Sequence, residues 1–128
     1  MRNLSKYIIE KLQLNKDIKV EGSIMELAQD ENYISTLNSK DILRIPFAKN
    51  YSEEIRDKEK MTEYKNKGSK PERLVNSIKD YAKLLRRFKI AINMKWYDCV
   101  EVFGNAIIER GYASKEAVCI YIHNTYEF

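Results

Sequence analysis

Apolar and polar positions along this chain recur with the period of amphipathic helices more often than with the alternation of strands. Over 3–14, Leu4, Ile8 and Leu12 fall four residues apart with Tyr7 beside them, which predicts a helix capped by Asn3 or Ser5 and ended by Asn15-Lys16-Asp17. The short piece Ile18-Lys19-Val20 closes at Gly22. Ser23 then caps a second short helix through Ile24, Leu27 and Ala28. Residues 30–48 read as one or two brief turns, with Ser39 as a further cap, until Pro46 interrupts.

From Ser52 the acids Glu53 and Glu54 come first, and Lys65, Lys67 and Gly68 come last, the order that a helix dipole and a glycine stop favour. Apolar residues are sparse here (Tyr51, Ile55, Met61, Tyr64), so 49–69 is expected to protrude as a solvated helix. Ser69-Lys70-Pro71-Glu72 has the form of a capping box with proline in the first turn. Beyond it Leu74, Ile78, Tyr81, Leu85, Phe88 and Ile92 are spaced four and three residues in alternation, one narrow stripe on a continuous helix over 71–92.

Residues 93–97 should break that run, with Asp98 and Glu101 forming another capping pattern. Val100, Phe103 and Ile107 then carry a stripe to Arg110, and Gly111 supplies the stop. Ser114 caps a last helix through Ala117, Val118, Tyr121 and Ile122. The run 118–122 is also rich in β-branched and aromatic residues, so a small hairpin with Ile90, Ile92, Met94 and Trp96 is the rival reading. The expected fold is mainly α, a compact bundle of about five to seven helices, with that hairpin near the C-terminus as the variant. One domain over 1–128 suits the length of 128 residues.

Composition narrows the class. At 44% hydrophobic and 33% charged, the chain can bury one core and keep a soluble surface. No apolar run reaches the roughly 18–20 residues of a membrane helix. Glu10 and Lys11 follow Tyr7-Ile8-Ile9 too soon for a signal peptide. A cytoplasmic location in a bacterial host cell is the expectation. Cys99 and Cys119 lack CxxC spacing and read as buried, inert thiols, so neither a metal nor another cofactor is expected. His123, the single histidine, leaves little scope for imidazole-based catalysis, and the scattered Gly22, Gly68, Gly104 and Gly111 make no phosphate loop. A helix-turn-helix over 23–44 fails because Asn38 and Asp41 would occupy apolar anchor positions. The acids and bases of 53–63 interleave like a solvated face, so the chain is read as no enzyme.

The charge distribution is sharper. Residues 70–95 hold 8 basic and 2 acidic side chains, against 13 and 12 over 1–69 and 2 and 5 over 96–128. On a continuous helix Lys79, Lys83, Arg86 and Arg87 lie within about 100° of one another, opposite the apolar stripe, with Ile90 in the same ridge. These five form the candidate partner-binding site. Clustered cations suit an acidic protein surface, nucleic acid or a ribonucleoprotein complex, or else a plain solvated face; the apolar Ile90 leans toward protein. Neighbouring like charges cost a helix a few tenths of a kcal/mol per pair, which asks for compensation from a partner or from acidic helices of the same chain.

The opening Asn3-Leu4-Ser5-Lys6-Tyr7-Ile8-Ile9-Glu10-Lys11-Leu12-Gln13-Leu14-Asn15-Lys16 resembles the start of small uncharacterised phage and mobile-element proteins of Bacteroidetes-type bacteria. The resemblance implies an accessory protein of a phage or mobile element. Joined to the basic helix, it gives the expectation of a non-enzymatic inhibitor of host nucleic-acid machinery, of the anti-CRISPR or other anti-defence kind. Direct RNA or DNA binding is the alternative, and a structural or packaged virion component a third.

Overall fold

The computed structural model describes residues 23–37 and 42–126. The predicted helix over 3–14, the piece 18–22, the Ser39 cap and the resembling stretch 3–16 lie outside the described residues. Among the described residues there are seven helices and no strand, and none of these helices is long and apolar enough to cross a membrane. The chain falls into two compact units, one of 1–43 with 113–128, the other of 44–112.

In the first unit, α1 (Ile24–Gln29) starts at Ser23, whose hydroxyl accepts from the Glu26 amide, as predicted. Asp30 ends α1 and caps α2 (Glu31–Thr36), its carboxylate accepting from the amides of Asn32 and Tyr33. The C-terminal α7 (Lys115–Tyr126) is capped by Ser114, which accepts from the Ala117 amide at 3.1 Å. Its Ala117, Val118, Cys119 and Ile122 are buried, as are Ile24, Met25 and Ala28 of α1. Cys119 Sγ donates to the Ile24 carbonyl at 3.8 Å, and His123 Nδ1 lies 2.8 Å from the Ala28 carbonyl oxygen, so that nitrogen carries the proton and donates. The β-prone run 118–122 is thus helical and the hairpin does not form. A strong cap and an apolar face buried against α1 outweigh an intrinsic strand preference that spans only about 1 kcal/mol.

Glu26 is buried, and its Oε2 meets no hydrogen-bond donor among the described residues. Burial pushes its carboxyl above the ordinary value of 4.5. The protonated form is therefore favoured in the folded state. Stability from this group is fully present below pH 4.5 and is lost as pH rises through the raised folded value. Glu26→Gln is expected to stabilise the protein at pH 7 and to make little difference near pH 4, as urea unfolding at the two pH values will show. A Gln variant less stable at pH 7 would mean that the carboxylate is paired.

In the second unit, α3 (Tyr51–Lys67) begins at Asn50, two residues before the predicted Ser52. Asn50 Oδ1 accepts from the Glu53 amide at 2.9 Å, while Glu53 Oε1 accepts from the Lys49 amide at 3.4 Å. Gly68 ends α3 at φ 65°, the left-handed conformation in which a side chain is strained. Most of α3 is exposed, as its sparse apolar residues suggest, but it does not stand free: Asp57, Met61 and Tyr64 are buried where one face of α3 packs on the helix that carries the basic residues.

The predicted continuous helix over 71–92 is two helices, α4 (Pro71–Ser77) and α5 (Tyr81–Asn93). Ser77 turns its hydroxyl back to the Leu74 carbonyl, and Asp80 caps α5 by accepting from the Lys83 amide at 2.9 Å. Arg110, more than thirty residues further along the chain, donates to the carbonyls of Ile78 and Val75 at 2.7 and 3.0 Å, which satisfies the broken end of α4. The stripe survives in part. Ile78, Leu85, Phe88 and Ile92 are buried, Leu74 is half-buried, and Tyr81 is exposed with its ring edge-on to Tyr112. Leu84 and Ala91 widen the buried face. α5 stops where predicted, and α6 (Tyr97–Glu109) follows, packing on α5 and α4 through Cys99, Val100, Phe103, Ala106 and Ile107. The Asp98–Glu101 capping pattern is not used: Trp96 stands at the N-cap with no side-chain bond, and Asp98 accepts from the Cys99 amide instead. Gly111, at φ 75°, ends α6 as expected, with the amides of Gly111 and Tyr112 returning to the carbonyls of Ile108 and Ile107.

Candidate functional site

The five residues of the basic ridge do not meet as one exposed surface. Lys79 is exposed in the connector before α5, while Lys83 and Ile90 are half-buried. Arg86 and Arg87 are only 9% and 8% exposed. Between them lies Asp57 of α3, itself 3% exposed. Arg86 Nε donates to Asp57 Oδ2 at 2.6 Å and Arg87 Nε to Asp57 Oδ1 at 3.2 Å. Arg86 Nη2 reaches Glu53 Oε1 at 2.8 Å, so one carboxylate holds both arginines and a second completes Arg86. The solvent-facing ridge is corrected accordingly. Arg86 and Arg87 turn from α5 toward α3, and the compensation for these two cations comes from within the chain.

Arginines buried this deeply persist when paired, because an unpaired guanidinium taken from water costs several kcal/mol. Glu53 and Asp57 are the carboxylates that hold these arginines, and the expectation of a solvated face over 53–63 did not single them out. Their signal was present. Glu53, Asp57, Met61 and Tyr64 lie at i, i+4, i+8 and i+11, within about 80° on a helix, so two acids share a face with the two buried apolar residues of α3.

The remaining charge is outside. Residues 44–112 carry 16 basic and 10 acidic side chains, a net +6, whereas the rest of the chain has 7 and 9, a net −2. Twelve of those cations are exposed against seven carboxylates. A cleft of about 230 Å³ gathers Lys60, Lys67 and Arg73 with the hydroxyl-bearing Ser69 and Ser77. Lys67 is engaged by Glu63 at 2.8 Å, and that bond holds the Glu63 carboxyl below its ordinary value. Among the described residues neither Lys60 nor Arg73 has an ion-pair partner. The exposed large apolar side chains of this unit include Phe47, 96% exposed, and Tyr51, 75% exposed.

Burial and then the Asp98 charge push the Cys99 thiol up to about 11, and its Sγ donates to Tyr64 Oη at 3.8 Å. Burial likewise raises the Tyr64 phenol. Both cysteines are buried and free, as the sequence suggested. Among the described residues no three His, Cys, Asp or Glu side chains are grouped to hold a metal ion. Comparison with protein-family models, with curated proteins and with solved structures finds no match.

Proposed function

We propose that this is a non-enzymatic binding protein that acts on the nucleic-acid machinery of a host cell, in the manner of small phage and mobile-element inhibitors, through the cationic surface of residues 44–112. The carrying observation is that this unit remains at net +6 with twelve exposed cations after Arg86 and Arg87 have been neutralised internally. A field of one sign steers and holds a polyanionic partner, such as a ribonucleoprotein complex or an acidic protein surface. Within it the cleft that brings Lys60 and Arg73 together offers two exposed cations side by side, so contact is assigned to these cations and to Lys79, not to the buried arginines.

The test is cleavage by purified RNA-guided and restriction nucleases of a Bacteroidetes-type host, with and without the protein. Wild type is expected to inhibit at least one of them. The double reversal Lys60→Glu/Arg73→Glu is expected to weaken inhibition by more than about tenfold, a loss of about 1.4 kcal/mol or more. Its helix content and unfolding midpoint should be unchanged, because both side chains are exposed. Inhibition by the double variant equal to wild type, or none by wild type, contradicts the reading.

A further inference from the structure

Segment 44–51, Arg44-Ile45-Pro46-Phe47-Ala48-Lys49-Asn50-Tyr51, has no regular secondary structure until α3 begins at Tyr51. Pro46 fixes its own φ near −65° and biases Ile45 toward an extended conformation, so the chain is stiffened where it presents Phe47. At the other end the Asn50–Glu53 cap, with Glu53 held in turn by Arg86, mounts Tyr51 on an anchored helix start. Along the segment a cation, an aromatic, a cation and an aromatic follow in order: Arg44, Phe47, Lys49, Tyr51. All four are exposed, and the two rings are the more conspicuous because a ring at 96% exposure contributes no burial to the fold.

Size separates the kinds of partner. Burying two aromatic rings removes about 150–250 Å² each, so two copies meeting through this patch would bury about 600–1,000 Å² in total. The rings alone fall short of the roughly 1,200–2,000 Å² of a stable interface, and a second copy would set the exposed Arg44 and Lys49 against their own like charges, which weighs against a second copy of the chain. A single strand of nucleic acid needs no wide patch. Each unpaired base offers a π-face to one ring, and the adjoining phosphates pair with isolated cations. A duplex keeps those faces stacked inside.

We propose that Arg44, Phe47, Lys49 and Tyr51 form a binding site for single-stranded nucleic acid, with bases stacked on Phe47 and Tyr51 and phosphates on Arg44 and Lys49. The inference rests on the reading of residues 44–112 as a surface for polyanionic partners, and it names the exposed single strand as what that surface grips.

The experiment is fluorescence anisotropy of the whole protein with labelled oligothymidylate and oligouridylate of about 12 nucleotides, a length within the usual site size, and with a duplex of equal length. The single strands should bind more tightly than the duplex. Phe47→Ala should weaken binding by about tenfold or more without moving the unfolding midpoint, and Phe47→Trp should retain binding and show quenched indole emission on stacking. Removing both cations with Arg44→Ala/Lys49→Ala should make the slope of log K against log salt shallower by about 1.4, the value for two phosphate contacts on a single strand. Equal binding of duplex and single strand, or Phe47→Ala binding like wild type, overturns the site. If no oligonucleotide binds while nuclease inhibition persists and remains sensitive to Lys60→Glu/Arg73→Glu, the stacking site falls and the inhibitor reading stands. Phe47-dependent binding of single strands with no nuclease inhibited establishes the site and removes the inhibitor reading instead.

Discussion

Asp57→Ala is expected to destabilise the protein by about 3–5 kcal/mol, the cost of breaking a buried ion pair by removing one partner. Among the described residues Asp57 is the one anionic partner of Arg87, so the variant leaves a guanidinium that is only 8% exposed without a counter-ion. Arg86 keeps Glu53 but loses its 2.6 Å bond. The expense lies in the orphaned charges rather than in the absolute worth of the pairs. Asp57→Leu combined with Arg87→Met should therefore recover much of the loss, since apolar groups of similar volume often replace a buried pair at little cost. Urea unfolding followed by helical circular dichroism measures both. A loss under about 1 kcal/mol for Asp57→Ala would mean that water reaches the cluster.

The second large effect belongs to the core beneath the same helix. Phe88 is fully buried on α5, the helix that packs on both α3 and α6. Phe88→Ala is expected to cost about 3–5 kcal/mol, from lost transfer free energy and from a cavity that three packed helices cannot readily close. The same unfolding experiment reads it. A cost below about 1 kcal/mol would show that the surrounding helices collapse into the space.

Much of the helical plan was legible because its signals are local. Ser23, Gly68, Gly111 and Ser114 each announce a helix end through geometry decided within a few residues, and each acts as predicted. The failures are long-range. The stripe from Leu74 to Ile92 runs through Ile78 without a gap, and periodicity alone has no means of knowing that Arg110 takes the Val75 and Ile78 carbonyls. That contact lets α4 end early, and Asp80 then starts a new helix. The β-prone 118–122 is decided the same way, by the apolar face it shares with α1 rather than by its own preferences.

The candidate site was misplaced for a related reason. Arg86 and Arg87 were read as solvated because charged side chains usually are, and their partner lies 29 and 30 residues upstream on a helix with few apolar residues. Sparse hydrophobicity does not by itself mean that every face is exposed. On α3 the acids occupy the buried face together with Met61 and Tyr64, and a helix wheel that counted carboxylates as candidates for burial opposite a basic face would have found them. Phe47 was invisible from the opposite side. The sequence pattern does not single it out, and only the fold shows its ring 96% exposed.

The central claim, that the basic helix spends its arginines on its own chain, is tested most directly by a double-mutant cycle between Asp57 and Arg87. Asp57→Ala, Arg87→Ala and the double variant are unfolded in urea beside wild type. The predicted result is a coupling of about 1–3 kcal/mol, the double variant being more stable than the two single losses imply. Losses that add to within about 0.5 kcal/mol would contradict the claim and return Arg87 to the surface as a residue available to a partner.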